Sequence, residues 1–271
     1  MAFLHVNFYS QTLGINTAMN VILPEKKQGV GVVDKITKTP NVNPKKTKLD
    51  VWDGETPLPV LYLLHGATDD YTIWCRRTSI ERYVAGKQIA VVMPSAGLSF
   101  YSNEINGYRY WDFISNELPT VVKSFFKISD KREDTFVAGI SMGSYGAIKL
   151  ALNYPEKYCK AGVLSGGMYL LNKDAGASEF VNRIYGSIEN IKDTEDDLEN
   201  VAKKLSESGK IKPELFFACG NKDFLYESHK KSVEYLTSLD FLIVNHEEEA
   251  YHEWAFWDKM IVKVLDWIGI K

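Results

Sequence analysis

Short, continuously apolar runs alternate with helical patterns along most of this chain. The runs in its central part include Pro59–Leu64, Ile89–Pro94 and Thr135–Ile140. Apolar runs without a polar alternation are typical of strands that are buried on both faces of a parallel sheet. Regular alternation of such strands with helices favours right-handed βαβ units, with helices on both sides of the sheet. The sequence therefore predicts an α/β fold.

The predicted sheet has eight strands and is mostly parallel. The strands are expected at Leu4–Gln11, Met19–Leu23, Pro59–Leu64, Ile89–Pro94, Thr135–Ile140, Ala161–Ser165, Glu214–Cys219 and Phe241–Glu247. The first two strands are separated by a short turn at Gly14, so we expect them to pair antiparallel at one edge. Helices are expected at Ile80–Gly86, Asn116–Phe126, Ser144–Asn153, Glu227–Leu239 and Ala255–Ile268.

The chain is predicted to form a single domain over residues 1–271, a length that is sufficient for a sizeable core. Two stretches interrupt the strand–helix alternation. Residues 26–56 are rich in Lys, Pro, Asn and Thr and are predicted to be a surface excursion. Residues 172–213 have little strand character and carry an acidic run before an amphipathic helix. This second stretch is interpreted as a small cap.

Composition and charge exclude several classes of protein. The net charge is 32 − 35 = −3, so no basic field indicates a nucleic acid or a membrane surface as partner. The apolar runs are far shorter than the ~18 residues that a membrane-spanning helix needs, and the N-terminus does not resemble a signal peptide. Three widely spaced cysteines form neither a metal site nor a disulfide framework. We expect a cytoplasmic protein that uses no metal and no cofactor.

The sharpest local signal is Gly139-Ile140-Ser141-Met142-Gly143, a G-x-S-x-G pattern. The pattern alone is weak, but it lies between a predicted strand and a predicted helix. That strand–turn–helix setting is what a nucleophile elbow requires. The glycines let strand and helix pack closely, and the N-terminus of the helix favours negative charge that develops nearby. Ser141 is therefore the predicted nucleophile.

A serine nucleophile needs a base, and the base is oriented by an acid. His252 lies between the last strand and the final helix, at the carboxyl edge of the sheet, and is the predicted base. His246 lies within the last strand and is the second choice, whereas His229 is predicted to be surface-exposed among lysines. Asp223 follows a strand and a glycine turn, so it is the predicted acid. Ser141, Asp223 and His252 then occur in the chain order expected for this kind of site.

The negative oxygen that forms during acyl transfer needs two backbone N–H donors. Met142 directly follows the nucleophile and is predicted to supply one. The other is assigned to Ala67, with Gly66 as runner-up, because both residues follow an early strand. His65 precedes any plausible acid in the chain, so a structural hydrogen-bonding role is expected for it. Aromatic residues near these loops are predicted to line a substrate pocket: Trp74, Tyr101, Trp111 and Trp254.

Several longer strings resemble the esterase D-type family of α/β-hydrolases, and the bacterial tributyrin esterase branch most closely. They begin at Pro59 (PVLYLLHG), Trp74 (WCRRTSIERY), Val91 (VVMP), Glu117 (ELP), Asp130 (DKREDTFVAGISMGSYGA) and Tyr251 (YHEW). The resemblance spans nearly the whole chain, apart from the excursion and the cap. Ser144 stands where the family commonly has a third glycine, and the 26–56 excursion is longer than expected.

This resemblance implies an α/β-hydrolase fold and a serine carboxylesterase that hydrolyses small esters with short-chain acyl, acetyl or feruloyl-type groups. The matching residues of the family form its Ser–Asp–His triad. A thioesterase of the S-formylglutathione hydrolase type and an acyltransferase on the same triad remain as alternatives. A non-enzymatic scaffold is disfavoured by the complete set of site residues. The preferred acyl and alcohol groups are left open, as is a homodimer.

Overall fold

The computed structural model describes residues 1–25, 52–169 and 178–270. Most of the predicted excursion, residues 26–51, therefore lies outside the described residues, as do residues 172–177 of the predicted cap. The division of the chain into one domain with these two additions stays a prediction. All residues that the sequence analysis assigned to the site lie within the described part.

Eight strands of the described chain form one sheet, in the order β1-β2-β4-β3-β5-β6-β7-β8. The strands are β1 (Ala2–Ser10), β2 (Ile15–Leu23), β3 (Val60–Leu64), β4 (Ala90–Pro94), β5 (Thr135–Ile140), β6 (Lys160–Leu164), β7 (Glu214–Gly220) and β8 (Ile243–Glu248). Strand β2 pairs antiparallel with β1 and with β4, and the pairs from β4 to β8 are parallel. The predicted sheet and its antiparallel edge are confirmed, although β2 begins four residues before the predicted Met19.

The α-helices of the described residues are α1 (Ile73–Arg77), α2 (Ile80–Tyr83), α3 (Tyr110–Asp112), α4 (Leu118–Phe125), α5 (Met142–Asn153), α6 (Ser178–Tyr185), α7 (Leu198–Glu207), α8 (Tyr226–Ser238) and α9 (Trp254–Ile268). A π-helical turn, Phe113–Glu117, joins α3 to α4. The sequence patterns predicted α2, α4, α5, α8 and α9 and the amphipathic α7. They missed the short α1 and α3 and also α6.

Successive side chains of a strand point to opposite faces of the sheet, and both faces here are covered. In β3, Val60, Tyr62 and Leu64 join one apolar cluster, to which α4, α5 and α7 contribute. Leu61 and Leu63 join the cluster on the other face, which is covered by α1, α2 and α9. Burial on both faces explains why the central strands read as continuous apolar runs.

Helix α5 lies between the sheet and the segment that ends with α7, so it is buried on nearly all sides. Its Lys149 is 0% exposed. The Lys149 Nζ atom lies 2.6 Å from the Asp196 Oδ1 atom and 3.0 Å from the Ser102 Oγ atom. Tyr145 and Tyr185 donate their hydroxyl protons to the same carboxylate oxygen. A residue of the predicted acidic run is thus a buried anchor for the segment that precedes α7.

None of the helices in the described ranges is long and apolar enough to cross a membrane.

Candidate active site

The predicted site residues come together at the carboxyl edge of the sheet. Loops leave this edge after β3, β5, β7 and β8, and they carry Ala67, Ser141, Asp223 and His252. Strands β3 and β5 are neighbours, and β6, β7 and β8 follow in order. The topology therefore places four segments that are distant in the sequence side by side, at the edge where open α/β sheets bind their ligands.

Ser141 occupies a sharp turn between β5 and α5, with φ 51° and ψ −120°. A non-glycine residue with this backbone conformation is strained, and such strain concentrates at functional sites. The turn depends on its glycines. A Cβ atom at Gly139 would lie 2.2 Å from the carbonyl oxygen of Gly143, and one at Gly143 would lie 2.6 Å from the carbonyl oxygen of His65. The G-x-S-x-G pattern is thus required by close backbone contacts.

The three residues predicted as a triad form one hydrogen-bonded chain. The His252 Nε2 atom lies 3.0 Å from the Ser141 Oγ atom. On the other side of the ring, the His252 Nδ1 atom lies 2.8 Å from Asp223 Oδ2 and 3.0 Å from Oδ1. Because an ionised carboxylate only accepts, Nδ1 carries the proton and leaves Nε2 free to accept from the serine. This is the tautomer that a general base needs.

The carboxylate of Asp223 is buried yet held in its ionised form. Burial by itself would raise the pKa of Asp223, but hydrogen bonds from His252, the Leu225 N–H and Ser165 outweigh burial and lower it. Ser165 is fully buried and has φ 51°. Its Oγ atom accepts a 2.8 Å hydrogen bond from Trp257 Nε1, and the Trp257 ring packs edge-on against His252. Sequence patterns did not single out Ser165 or Trp257, because neither belongs to a motif.

The loop after β3 is fixed beside the nucleophile by a set of buried hydrogen bonds. The Trp74 Nε1 atom donates to the Leu64 carbonyl at 3.0 Å, and the Tyr101 hydroxyl donates to the His65 carbonyl at 2.9 Å. The His65 ring accepts from Ala96 N–H through Nε2 and donates from Nδ1 to the Gly66 carbonyl. Burial lowers the pKa of His65, which matches this neutral, structural use of the ring. The expectation of a structural His65 is confirmed.

Met142 is the first residue of α5, and the first N–H groups of a helix have no carbonyl acceptor within the helix. This position is compatible with the donor role predicted for the Met142 N–H. Ala67 is half-buried and follows the fixed carbonyls of Leu64 and His65. The contact between the Gly143 backbone and the His65 carbonyl places this loop against the elbow. The donor roles of Met142 and of Ala67 or Gly66 remain predictions.

The pocket prediction is wrong for three of its four aromatic residues. Trp74, Tyr101 and Trp111 are 1%, 0% and 4% exposed, so they have almost no surface to offer a ligand. Trp74 and Tyr101 instead support the loop after β3. Trp111 stacks on Tyr154 and lies under the Lys149 ammonium, deep in the core. They were chosen for their proximity to site residues in sequence, which does not report burial.

Trp254 is half-buried and packs edge-on against Trp74 and Trp257, so its role in the pocket remains a prediction.

The other downstream histidines lie away from Ser141. His246 on β8 packs against Phe216, with ring centroids 5.0 Å apart. His229 was predicted to be surface-exposed, and this is wrong, because it is 0% exposed. It faces inward from α8 and its ring contacts Phe217. The lysines beside it in the sequence point elsewhere around the helix, which the sequence pattern did not resolve.

Serine hydrolases of the α/β-hydrolase fold are the class of enzymes in which an elbow serine meets an acid and a histidine in this chain order. Comparison with known proteins agrees. Residues 39–268 match the family model described as "Putative esterase". The chain belongs to this esterase family.

Similar proteins align with 98–99% of this chain. An acetyl esterase of Caldicellulosiruptor saccharolyticus is 32% identical over 99% of this chain and 98% of its own length. The fluorophosphonate-binding serine hydrolase F of Staphylococcus aureus is 32% identical over 98% of both chains, with a TM-score of 0.83. An S-formylglutathione hydrolase of Staphylococcus aureus is also 32% identical over 98% of both chains, with a TM-score of 0.80.

Proposed function

We propose that this protein is a serine carboxylesterase that hydrolyses small carboxylic esters through an acyl-serine intermediate. In the first step the Ser141 Oγ atom attacks the ester carbonyl while His252 Nε2 takes the serine proton. The N–H groups of Met142 and Ala67 stabilise the oxyanion, and Asp223 stabilises the imidazolium. The bond to the alcohol oxygen then breaks as Nε2 returns the proton to that oxygen, and the alcohol leaves.

The second step is the reverse chemistry with water. His252 Nε2 takes a proton from a water molecule as its oxygen attacks the acyl carbon. The bond to Ser141 Oγ breaks, and the serine recovers its proton from the histidine. The carboxylic acid is released and the enzyme returns to its starting state. Each proton that this cycle needs passes through one nitrogen atom.

One observation carries the proposal: the unbroken hydrogen-bonded chain from Ser141 through His252 to Asp223, with the serine on a strained turn at the start of α5. A buried, ionised carboxylate and a hydroxyl on opposite sides of one imidazole ring supply the nucleophile, the base and its orienting group. A structural role for this set would need neither the strained serine backbone nor an ionised acid.

An acetyl group is the proposed acyl part of the substrate. The full-length similarity to an acetyl esterase supports it, because the 32% identity covers 98% of that protein. A thioester substrate of the S-formylglutathione type is the second candidate, since a hydrolase of that name is equally similar. The same triad accepts either substrate, as an acyl-serine forms from an ester or a thioester. Feruloyl esters stay a prediction from the sequence resemblance.

Hydrolysis of matched substrates tests the proposal. We would measure p-nitrophenyl acetate, butyrate and octanoate, methyl ferulate and S-formylglutathione, with Ser141→Ala as the control. We expect turnover that depends on Ser141 and falls from acetate to octanoate. Preference for S-formylglutathione by several orders of magnitude in kcat/KM would replace the ester by the thioester. Turnover that Ser141→Ala retains in full would overturn the proposed function.

We further propose a cytoplasmic location, in keeping with thiols that stay reduced. All three cysteines lie in described residues and are free. Burial raises the pKa of the Cys75 and Cys159 thiols to about 11, so both are uncharged at neutral pH and poorly reactive. Fractionation of the source cells with an antibody to the protein would test this location.

A further inference from the structure

An aromatic side chain at the site stands out by its exposure. Phe224 directly follows the acid Asp223 and is 73% exposed. Its backbone lies in a rigid turn, because the Asp223 carboxylate accepts from the Leu225 N–H at 2.8 Å and the Asp223 carbonyl accepts from the Tyr226 N–H at 3.0 Å. The same turn therefore fixes the position of the Asp223 carboxylate and that of the backbone that carries the Phe224 ring.

The Phe224 ring lies against the catalytic histidine. The ring centroids of Phe224 and His252 are 4.5 Å apart, with 46° between the planes. On another side the imidazole contacts the buried Trp257, at 4.9 Å and 87°. Trp257 is held by its hydrogen bond to Ser165. Of these two neighbours of His252, Trp257 is thus a core residue, whereas Phe224 exposes a large apolar surface to solvent.

The proposed reaction determines which part of a substrate lies near the Phe224 ring. His252 Nε2 must deliver its proton to the oxygen of the departing alcohol, so that oxygen lies within hydrogen-bond distance of the imidazole when the bond breaks. The carbonyl oxygen lies instead toward the oxyanion donors at Met142 and Ala67. The groups attached to the alcohol oxygen therefore leave the site beside the imidazole, whose exposed aromatic neighbour is Phe224.

We propose that Phe224 is a specificity-determining residue that binds the alcohol part of the ester and selects apolar, especially aromatic, alcohols. This inference rests on the proposed esterase function. An apolar leaving group would cover the exposed ring and remove apolar surface of both partners from water. Aromatic leaving groups add ring–ring contact. The small acetyl group lies on the opposite side of the carbonyl and does not reach Phe224.

The test varies one side of the ester at a time. Benzyl acetate and methyl acetate share the acyl group and have alcohols of similar acidity, whereas methyl phenylacetate places the ring on the acyl side. We expect Phe224→Ala to lower kcat/KM for benzyl acetate about tenfold relative to methyl acetate. The ratio for methyl phenylacetate against methyl acetate should not change. Turnover of the acetyl-enzyme, common to both acetates, should also be unaffected.

Two further variants separate binding from other effects. Phe224→Leu keeps apolar contact without the ring and should lose less than Phe224→Ala on benzyl acetate. Leu242→Ala is the matched control, because Leu242 is 71% exposed and precedes β8 at the opposite end of the sheet. It should change no ratio. The pH profile of kcat/KM should be the same for Phe224→Ala and the wild type, whereas a role exerted only through His252 would shift it.

Three results would overturn the inference. Equal losses on all three esters would mean that Phe224 acts through the histidine, and a loss confined to methyl phenylacetate would place it on the acyl side. An unchanged kcat/KM for every ester would show that the ring does not bind substrate. If the wild type hydrolyses none of the esters, the proposed function itself fails. That outcome is distinguishable from the others because they all require an active wild type.

Discussion

At the scale of single residues, the site depends on groups that hold the triad as much as on the triad. Ser165 is fully buried, receives the Trp257 N–H and helps to lower the pKa of Asp223. In Ser165→Ala the Asp223 carboxylate loses a donor and becomes a stronger acceptor for the His252 Nδ1–H. Without this hydrogen bond the pKa of Asp223 should rise, so the acid limb of the pH profile of kcat/KM should move to higher pH.

Ser144→Ala is the matched control for this prediction. Ser144 is also fully buried beside Ser141, but its hydroxyl donates to the Ser141 carbonyl and does not contact Asp223. Its removal should leave the acid limb in place. Thermal unfolding should show that Ser165→Ala costs roughly 1–3 kcal/mol, since the Trp257 N–H loses its acceptor. A pH profile that does not move in Ser165→Ala would contradict the role assigned to this hydroxyl.

Some residues of the site could be predicted from the sequence and others could not. Ser141, Asp223 and His252 were predictable because each follows a strand in a chain order that the chemistry requires. Ser165 and Tyr101 were not, because their roles depend on single hydrogen bonds across the fold. Trp74 and Trp111 were wrongly assigned to a pocket. Proximity to a site in the sequence does not say which face of an element a side chain occupies.

At the scale of elements, the buried Lys149–Asp196 pair joins α5 to the segment before α7. Burial lowers the pKa of Lys149 although Asp196 opposes this effect, whereas Lys149 and its neighbours hold the pKa of Asp196 below its ordinary value despite burial. Lys149→Met leaves a buried carboxylate without its counter-charge and should lower the free energy of unfolding by about 3–5 kcal/mol. The double variant Lys149→Met, Asp196→Leu should recover only part of this loss, because Tyr145 and Tyr185 also lose the carboxylate that accepts their hydroxyl protons. Urea denaturation of all three proteins measures both effects.

A double variant as unstable as the single one would show that the pair itself, and not an uncompensated charge, stabilises this part of the molecule. The sequence did not predict the pair. Lys149 lies in a helix and Asp196 in an acidic run, and both patterns usually indicate solvated surface. Helix α5 is buried because α7 covers it. This is a tertiary contact, which a local sequence pattern does not reveal. By contrast, the strands were predictable since a parallel sheet buried on both faces requires apolar residues throughout.

At the scale of the whole molecule, buried neutral histidines make stability depend on pH. Burial lowers the pKa of His229 and of His65 in the folded protein. Unfolded histidines take up protons near pH 6.5, so below this pH the unfolded chain binds more protons than the folded one. The free energy of unfolding should therefore fall as the pH is lowered from about 6.5 through the folded-state pKa values. Each group contributes at most ~1.4 kcal/mol per pH unit.

His229→Leu isolates one of these contributions, because an apolar side chain fits beside Phe217 and cannot take up a proton. The variant should lose less stability than the wild type between pH 6.5 and 5. Above pH 7.5, where histidine is neutral in both states, the difference between the two proteins should be constant. Denaturant unfolding at a series of pH values measures it. Parallel curves for the two proteins across the acid range would contradict the account of His229.

In the proposed function, Ser141 is a nucleophile that His252 and Asp223 activate. Intact-mass measurement of the protein after reaction with a fluorophosphonate tests it most directly. We predict one adduct per chain, located on Ser141, no adduct in Ser141→Ala, and a labelling rate at least about a hundredfold lower in His252→Ala. An adduct on another residue, or labelling of Ser141 at the same rate without His252, would contradict it.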